Sequence, residues 1–146
     1  MGSNPRPYAM KLNLGCGSTE IEGHIGIDII DYGHNIVRDL RRGIPFFDES
    51  MVEITAKHFL EHLEQDDVIF MIDECWRVLR PGGKLIIEVP SYRAEEAYVF
   101  GHKTIFSEDT FRASECFKRW TIEKINTNNA LRLFVILVKP NEESKT

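Results

Sequence analysis

The stretch Met10-Lys11-Leu12-Asn13-Leu14-Gly15-Cys16-Gly17 decides how the rest of the chain is read. Its first five residues alternate apolar and polar, the period of a strand, and the pattern stops at two glycines spaced one apart. A strand ending in a glycine turn is ordinary by itself. Two carboxylates downstream give it weight: Asp28 falls late in a second apolar run, His24 to Ile30, and Asp39 near the end of a short third, Ile36 to Leu40. In an open α/β sheet the carboxyl ends of the strands gather along one edge, where ligands bind. A carboxylate there can accept two hydrogen bonds from ribose hydroxyls, and glycines let a ligand approach the backbone. A plain tight turn and aspartates that merely finish strands would give the same letters, so both readings stand at this point.

Further along, Val52 to Lys57 alternates strictly and reads as a fourth strand. Arg41 to Ser50, with Gly43 and Pro45, reads as loop or broken helix. Glu64 to Leu79 carries Val68, Ile69, Ile72, Trp76 and Leu79 near helical spacing, and Pro81-Gly82-Gly83 closes it. Lys84 to Val89 is a strand ended by Pro90, and Ser91 to Thr104 is a loop with some helix. Ser107 caps a helix running to about Lys118, with Glu108 and Asp109 at its positive end. Two strands follow, Thr121–Thr127 and Leu131–Lys139, joined by an Asn128-Asn129 turn. Strand and crossover alternate through most of the chain, so the expected class is α/β, a mostly parallel sheet with an antiparallel C-terminal hairpin.

Five segments, in order over residues 10–90, resemble the class I S-adenosylmethionine-dependent methyltransferases, in a small, trimmed bacterial-type form. Leu12-Asn13-Leu14-Gly15-Cys16-Gly17 is similar to their first motif, and Gly26-Ile27-Asp28 to their second-strand acidic motif. Asp39-Leu40 followed by Ile44-Pro45-Phe46 resembles the adenine-contacting segment. Lys57-His58-Phe59-Leu60-Glu61-His62-Leu63 resembles the stretch after the fourth strand, and Arg77 through Leu85 the junction from helix to fifth strand. The resemblance implies a Rossmann-like fold, S-adenosylmethionine as cofactor, and methyl transfer to an acceptor that it does not identify. It implies that backbone at Gly15, Cys16 and Gly17 faces the methionine portion. Asp28 would hold the ribose hydroxyls, Asp39 and the Leu40 amide the adenine, and His58 would sit near the cofactor. Asn13 stands where the family usually has an acidic residue, and Thr19 where it has a third glycine. A non-catalytic cofactor-binding or regulatory partner subunit is the alternative these departures raise.

Only ten residues separate Gly17 from Asp28, and ten separate Asp28 from Asp39. Neither gap holds a crossover helix with its turns, and none is expected in the few residues before the first strand. In the resembled fold these three helices cover one sheet face, so that cover should be largely missing. The strands agree: Lys11 and Asn13, then Glu53, Thr55 and Lys57, then Glu88 fall on alternate positions, whereas parallel strands covered on both faces usually read as continuous apolar runs. A face left bare, one covered by a second copy or a partner protein, and one covered by short loops all fit.

The remaining observations are mostly exclusions. A chain of 146 residues, 42% hydrophobic and 28% charged, suits one globular domain over 1–146, with loose ends at about 1–8 and 140–146. No run approaches the ~18 apolar residues of a membrane helix, so no membrane partner is expected. Met1 to Arg6 lacks a signal peptide's apolar core, and Arg6 breaks the myristoylation pattern that Gly2 invites. Cys16, Cys75 and Cys116 form no CxxC pair, which fits reduced thiols in the cytoplasm. A net charge of −5 argues against non-specific attraction to nucleic acid. His58 to His62 spells H-x-x-E-H, but it directly follows a strand instead of lying within a long apolar helix, so no metal is expected. Tyr92, Tyr98 and Phe100 follow the fifth strand, where the family places acceptor-site residues, or they pack locally. Tyr92, His102 and His62 are within reach of the pocket as bases, and no spacing singles one out as catalytic.

Overall fold

The computed structural model describes residues 10–141. The expected loose ends therefore fall outside the described residues except for Pro140 and Asn141, and so do the readings of Met1 to Arg6. Among the described residues seven strands form one sheet: β1 (Lys11–Leu14), β2 (His24–Asp28), β3 (Ile36–Val37), β4 (Met51–Lys57), β5 (Leu79–Pro90), β6 (Thr121–Thr127) and β7 (Arg132–Val138). Their order is β3-β2-β1-β4-β5-β7-β6, parallel from β3 to β5, with β7 antiparallel to both neighbours. The expected Rossmann-like α/β class is the one found.

Helix α1 (Gln65–Val78) forms for the reasons visible in its letters. Asp66 and Asp67 favour its first turn, and Val68, Met71, Ile72, Cys75 and Val78 line one buried stripe. It ends one residue before the expected Leu79. Leu79 is already extended and paired with Met51, so Pro81-Gly82-Gly83 belongs to a bent start of β5. Proline disfavours a helical Arg80, and Gly82 supplies a left-handed turn at φ 87°. Lys139, 7% exposed, reaches back to the helix end and donates from Nζ to the carbonyls of Trp76 (2.7 Å) and Leu79 (2.8 Å). A buried cation thus satisfies carbonyls that a helix end leaves open.

Helix α2 (Glu108–Ala113) starts at the expected Ser107 cap, which pairs reciprocally with Thr110. It stops well short of Lys118. Ser114 is extended, and a separate 3-10 turn covers Glu115–Phe117. Phe111 and Phe117 are both buried, yet six residues on an unbroken helix would set them about 120° apart. The break lets both enter one core with Phe106. The closing turn is also longer than Asn128-Asn129. Asn128 donates to the Arg132 carbonyl, its side chain accepts from Ala130 and Arg132, and Leu131 takes φ 59° before β7 begins.

Leu12, Leu14, Ile27, Ile54, Ala56, Leu85, Ile87, Leu133, Val135 and Leu137 are fully buried against α1 and the aromatic group. The opposite face carries Lys11, Glu53, Lys84, Ile86, Glu88, Phe134, Ile136 and Val138, all only half-buried. Between β1 and β2, β2 and β3, and β3 and β4 there is no α-helix, as the short gaps require. The uncovering is not uniform. Asn13 (5% exposed) and Thr55 (4%) are buried near the middle, and the loop after Gly17 reaches over Asn13, whose amide points at the Thr19 carbonyl at 3.5 Å.

Candidate functional site

At the carboxyl ends of β1, β2 and β4 the chain makes a cleft of about 530 Å³. Its floor begins with Gly15, at φ 62°, where a Cβ would lie 2.4 Å from the Phe59 ring. Glycine is required there twice over, by the backbone angle and by the aromatic wall. The amides of Gly15 and Cys16 both donate to the Ile27 carbonyl, at 2.8 and 3.2 Å, binding the turn to β2. Asp28 completes it: Oδ2 accepts from the Gly17 amide at 2.9 Å, and Oδ1 from the Ile30 amide at 3.0 Å. Each carboxylate oxygen keeps a second acceptor position, so Asp28 can shape the turn and still receive ligand hydroxyls.

The bond to Ile30 also explains why β2 is shorter than the expected His24 to Ile30. Asp28 turns the chain, and Ile29 and Ile30 leave the sheet to line the cleft, 58% and 56% exposed. Likewise β3 stops at Val37, and Asp39 instead caps the 3-10 turn Leu40–Arg42 by accepting from the Arg41 amide. The Arg41 guanidinium grips both Asp39 oxygens at 2.7 to 3.2 Å. That side-chain bond, with the backbone bond, holds the Asp39 carboxyl down at about 2. As first residue of the turn, Leu40 offers an amide with no acceptor inside it.

Gly15, Asp28, Asp39, Leu40 and His58 line the cleft together. Asn13 does not; it lies behind the glycine turn in a separate hollow with Thr19 and His24. The Cys16 thiol is also turned away, under Gly26, where a Cβ would stand 2.9 Å from Sγ. Burial, then the Asp28 charge, pushes that thiol up from its ordinary range. Gly17 contributes its amide to Asp28 without lining the cleft. Phe59, Arg41, His62 and Lys103 line it as well. Phe59 lies in the motif-like stretch after β4, but Lys103 has no local signal, because a distant loop delivers it.

His58 follows β4 in a left-handed conformation, φ 55°, which is costly for a residue with a Cβ and marks a position held by its surroundings. Its Nε2 meets Glu88 Oε2 at 3.1 Å, and its Nδ1 faces the buried Glu61 at 3.6 Å. After β5, Tyr92 and Tyr98 are half exposed and Phe100 fully so; Tyr98 donates to the Tyr92 carbonyl at 2.7 Å. Tyr92 lines a different hollow with Ser91, Ile105 and Leu133.

The strand order, the glycine turn after β1 and the acid at the end of β2 define a Rossmann-like methyltransferase architecture. The chain belongs to the class I S-adenosylmethionine-dependent methyltransferases: the family described as Methyltransferase domain matches residues 12–87, more than half its length. Solved structures share the fold at low identity. One is a complex of the Haloferax volcanii Trm112 methyltransferase activator with a methyltransferase (TM-score 0.72, 14% identity, 91% of this chain and 83% of that one). Another is a Methanosarcina mazei S-adenosylmethionine-dependent methyltransferase (0.68, 18%, 91% and 93%). A third is the Burkholderia thailandensis 1,6-didemethyltoxoflavin-N1-methyltransferase with its substrate and S-adenosylhomocysteine bound (0.70, 14%, 91% and 72%). No curated protein sequence matches the chain. Membership supports methyl transfer in general and S-adenosylmethionine as the implied cofactor. No helix among the described residues is long and apolar enough to cross a membrane.

Proposed function

We propose that the protein binds S-adenosylmethionine in this cleft and transfers its methyl group to an acceptor still to be identified. The observation that carries the reading is Asp28, fixed by two backbone amides on the cleft wall with one acceptor position left on each oxygen. Those positions suit the paired hydroxyls of a ribose. Ile29, Ile30 and Leu40 give the adenine an apolar seat, and the Leu40 amide can donate to it. Asp39 can accept from the adenine amino group once the exposed Arg41 swings aside. Gly15 presents backbone toward the methionine portion, with Cys16 and Gly17 holding the turn from behind, and His58 closes that end. Asn13 acts at one remove, through the loop after Gly17.

When bound, the cofactor supplies an electrophilic methyl group, so the protein's task is to orient an acceptor in line with it and exclude water. The hollow beside Tyr92 offers room for such an acceptor. The reading also assigns the chain to one domain in the reducing cytoplasm, in keeping with its three free cysteines. The half-bare sheet face favours a second reading, a cofactor-binding subunit that works with a partner or a second copy. The neighbour solved with an activator protein supports that possibility by analogy.

Calorimetry with S-adenosylmethionine tests the main reading. One site per chain is expected, weakened roughly ten- to hundredfold in Asp28→Asn, the cost of a bond or two to a charged group. Asparagine keeps one acceptor oxygen and so one of the two turn bonds, and circular dichroism should show the variant folded. No binding by the folded wild type would refute it. Formation of S-adenosylhomocysteine with an acceptor then separates enzyme from silent subunit.

A further inference from the structure

We propose that Glu61, His62 and His102 form a binding site for one divalent transition-metal ion, such as zinc, at the edge of the cleft. Their ligand atoms all lie within 4.8 Å of one another. Two imidazoles and one carboxylate are a recurrent set for such ions, and three protein ligands leave positions open for water or another ligand. On a long helix the H-x-x-E-H spelling would pair His58 with His62 and a carboxylate from elsewhere. The structure pairs the residues differently. The segment is a single 3-10 turn, Leu60–His62, and the third ligand comes from a loop forty residues away.

Three features indicate a built site instead of a chance meeting. Glu61 is 2% exposed, and its Oε1 is buried with no hydrogen-bond partner. Its Oε2 faces imidazole nitrogens of His58 at 3.6 Å and His62 at 3.9 Å, both too long for good hydrogen bonds. A buried carboxylate so poorly served is costly, and a cation offsets that cost. Next, His102 is oriented from behind: its Nδ1 meets the Glu96 carbonyl at 2.8 Å. A carbonyl only accepts, so Nδ1 carries the proton and Nε2 keeps the lone pair a metal needs, the usual arrangement behind a ligating histidine. Finally, the two segments are fastened together. The Lys103 and Thr104 amides donate to the Glu61 carbonyl at 2.7 and 3.2 Å, and the Thr104 hydroxyl to the Leu63 carbonyl. These bonds bring His102 edge to face with His62, ring centres 4.7 Å apart.

The site does not depend on the methyltransferase reading, and its test uses no cofactor. Protein stripped with a chelator is titrated with Co²⁺ and followed by visible absorption. Saturation at one ion per chain is expected, with His62→Ala and His102→Ala each weakening it by at least roughly tenfold. His34→Ala, at a histidine paired with Glu20 elsewhere, should bind as the wild type does. In the unmutated protein, Co²⁺ should shift the His62 and His102 imidazole protons, a readout independent of how the variants fold. No saturable binding, or shifts confined to other histidines, would overturn the site.

Discussion

The two faces of this sheet are made from the same strands and meet opposite fates. On one, Leu85, Ile87, Leu133, Val135 and Leu137 are sealed under α1, α2 and the Phe106, Phe111 and Phe117 rings. On the other, Ile86, Phe134, Ile136 and Val138 stay half-buried beside Lys84, Glu88 and Lys124, with the Lys124 ammonium 5.6 Å above the Phe134 ring. The difference shows what a Rossmann-like sheet can shed. Crossovers between β1, β2 and β3 are cut to turns, yet the strand tips that make the cleft stay in place. They are held by local devices: Asp28 on the Gly17 amide, and a clamp at Arg77. That guanidinium donates to Glu74, Asp48 and the carbonyls of Ile44 and Phe46, fixing the loop that stands in for a helix.

Substitutions can break or sharpen the contrast. The largest effect is expected at Ile87→Ala, which should cost about 2–5 kcal/mol in urea unfolding, because Ile87 is fully buried between Ala56 and Val135. Its neighbour Ile86→Ala should cost only about 1 kcal/mol in dilute protein. Equal losses would mean that the second face is covered in solution, and light scattering should then find a dimer. Arg77→Met should cost about 2–3 kcal/mol and change the acid response. Bonding to Arg77 holds Glu74 below its usual range, so this stability is present at neutral pH and fades as pH falls through the carboxylate range; the variant should lose that part of the slope. Least of all, Lys84→Ala removes an exposed pair with Glu123 and should stay within about 0.5 kcal/mol.

The sequence showed most of the architecture because its signals were local: alternation in β1 and β4, a 3.6-residue stripe in α1, gaps too short for helices. Boundaries failed where a distant contact decided them. Asp28 ended β2 early through the Ile30 amide, and burial of both Phe111 and Phe117 broke the last helix. At the site, Gly15, Asp28, Asp39, Leu40 and His58 came from motif positions and do share a cleft. Asn13 and the Cys16 side chain point elsewhere because alternate positions on β1 and a glycine in β2 draw them to the other face. His102 was unreadable as a partner of Glu61, since only backbone bonds across forty residues bring them together.

A crystal structure with S-adenosylhomocysteine tests the central claim most directly. The ribose hydroxyls should lie within hydrogen-bonding distance of Asp28, with the adenine beside Leu40 and Arg41 displaced from Asp39. Adenosine bound in the Tyr92 hollow, or an Asp28 carboxylate still holding only its two amides beside a bound ligand, would contradict the account.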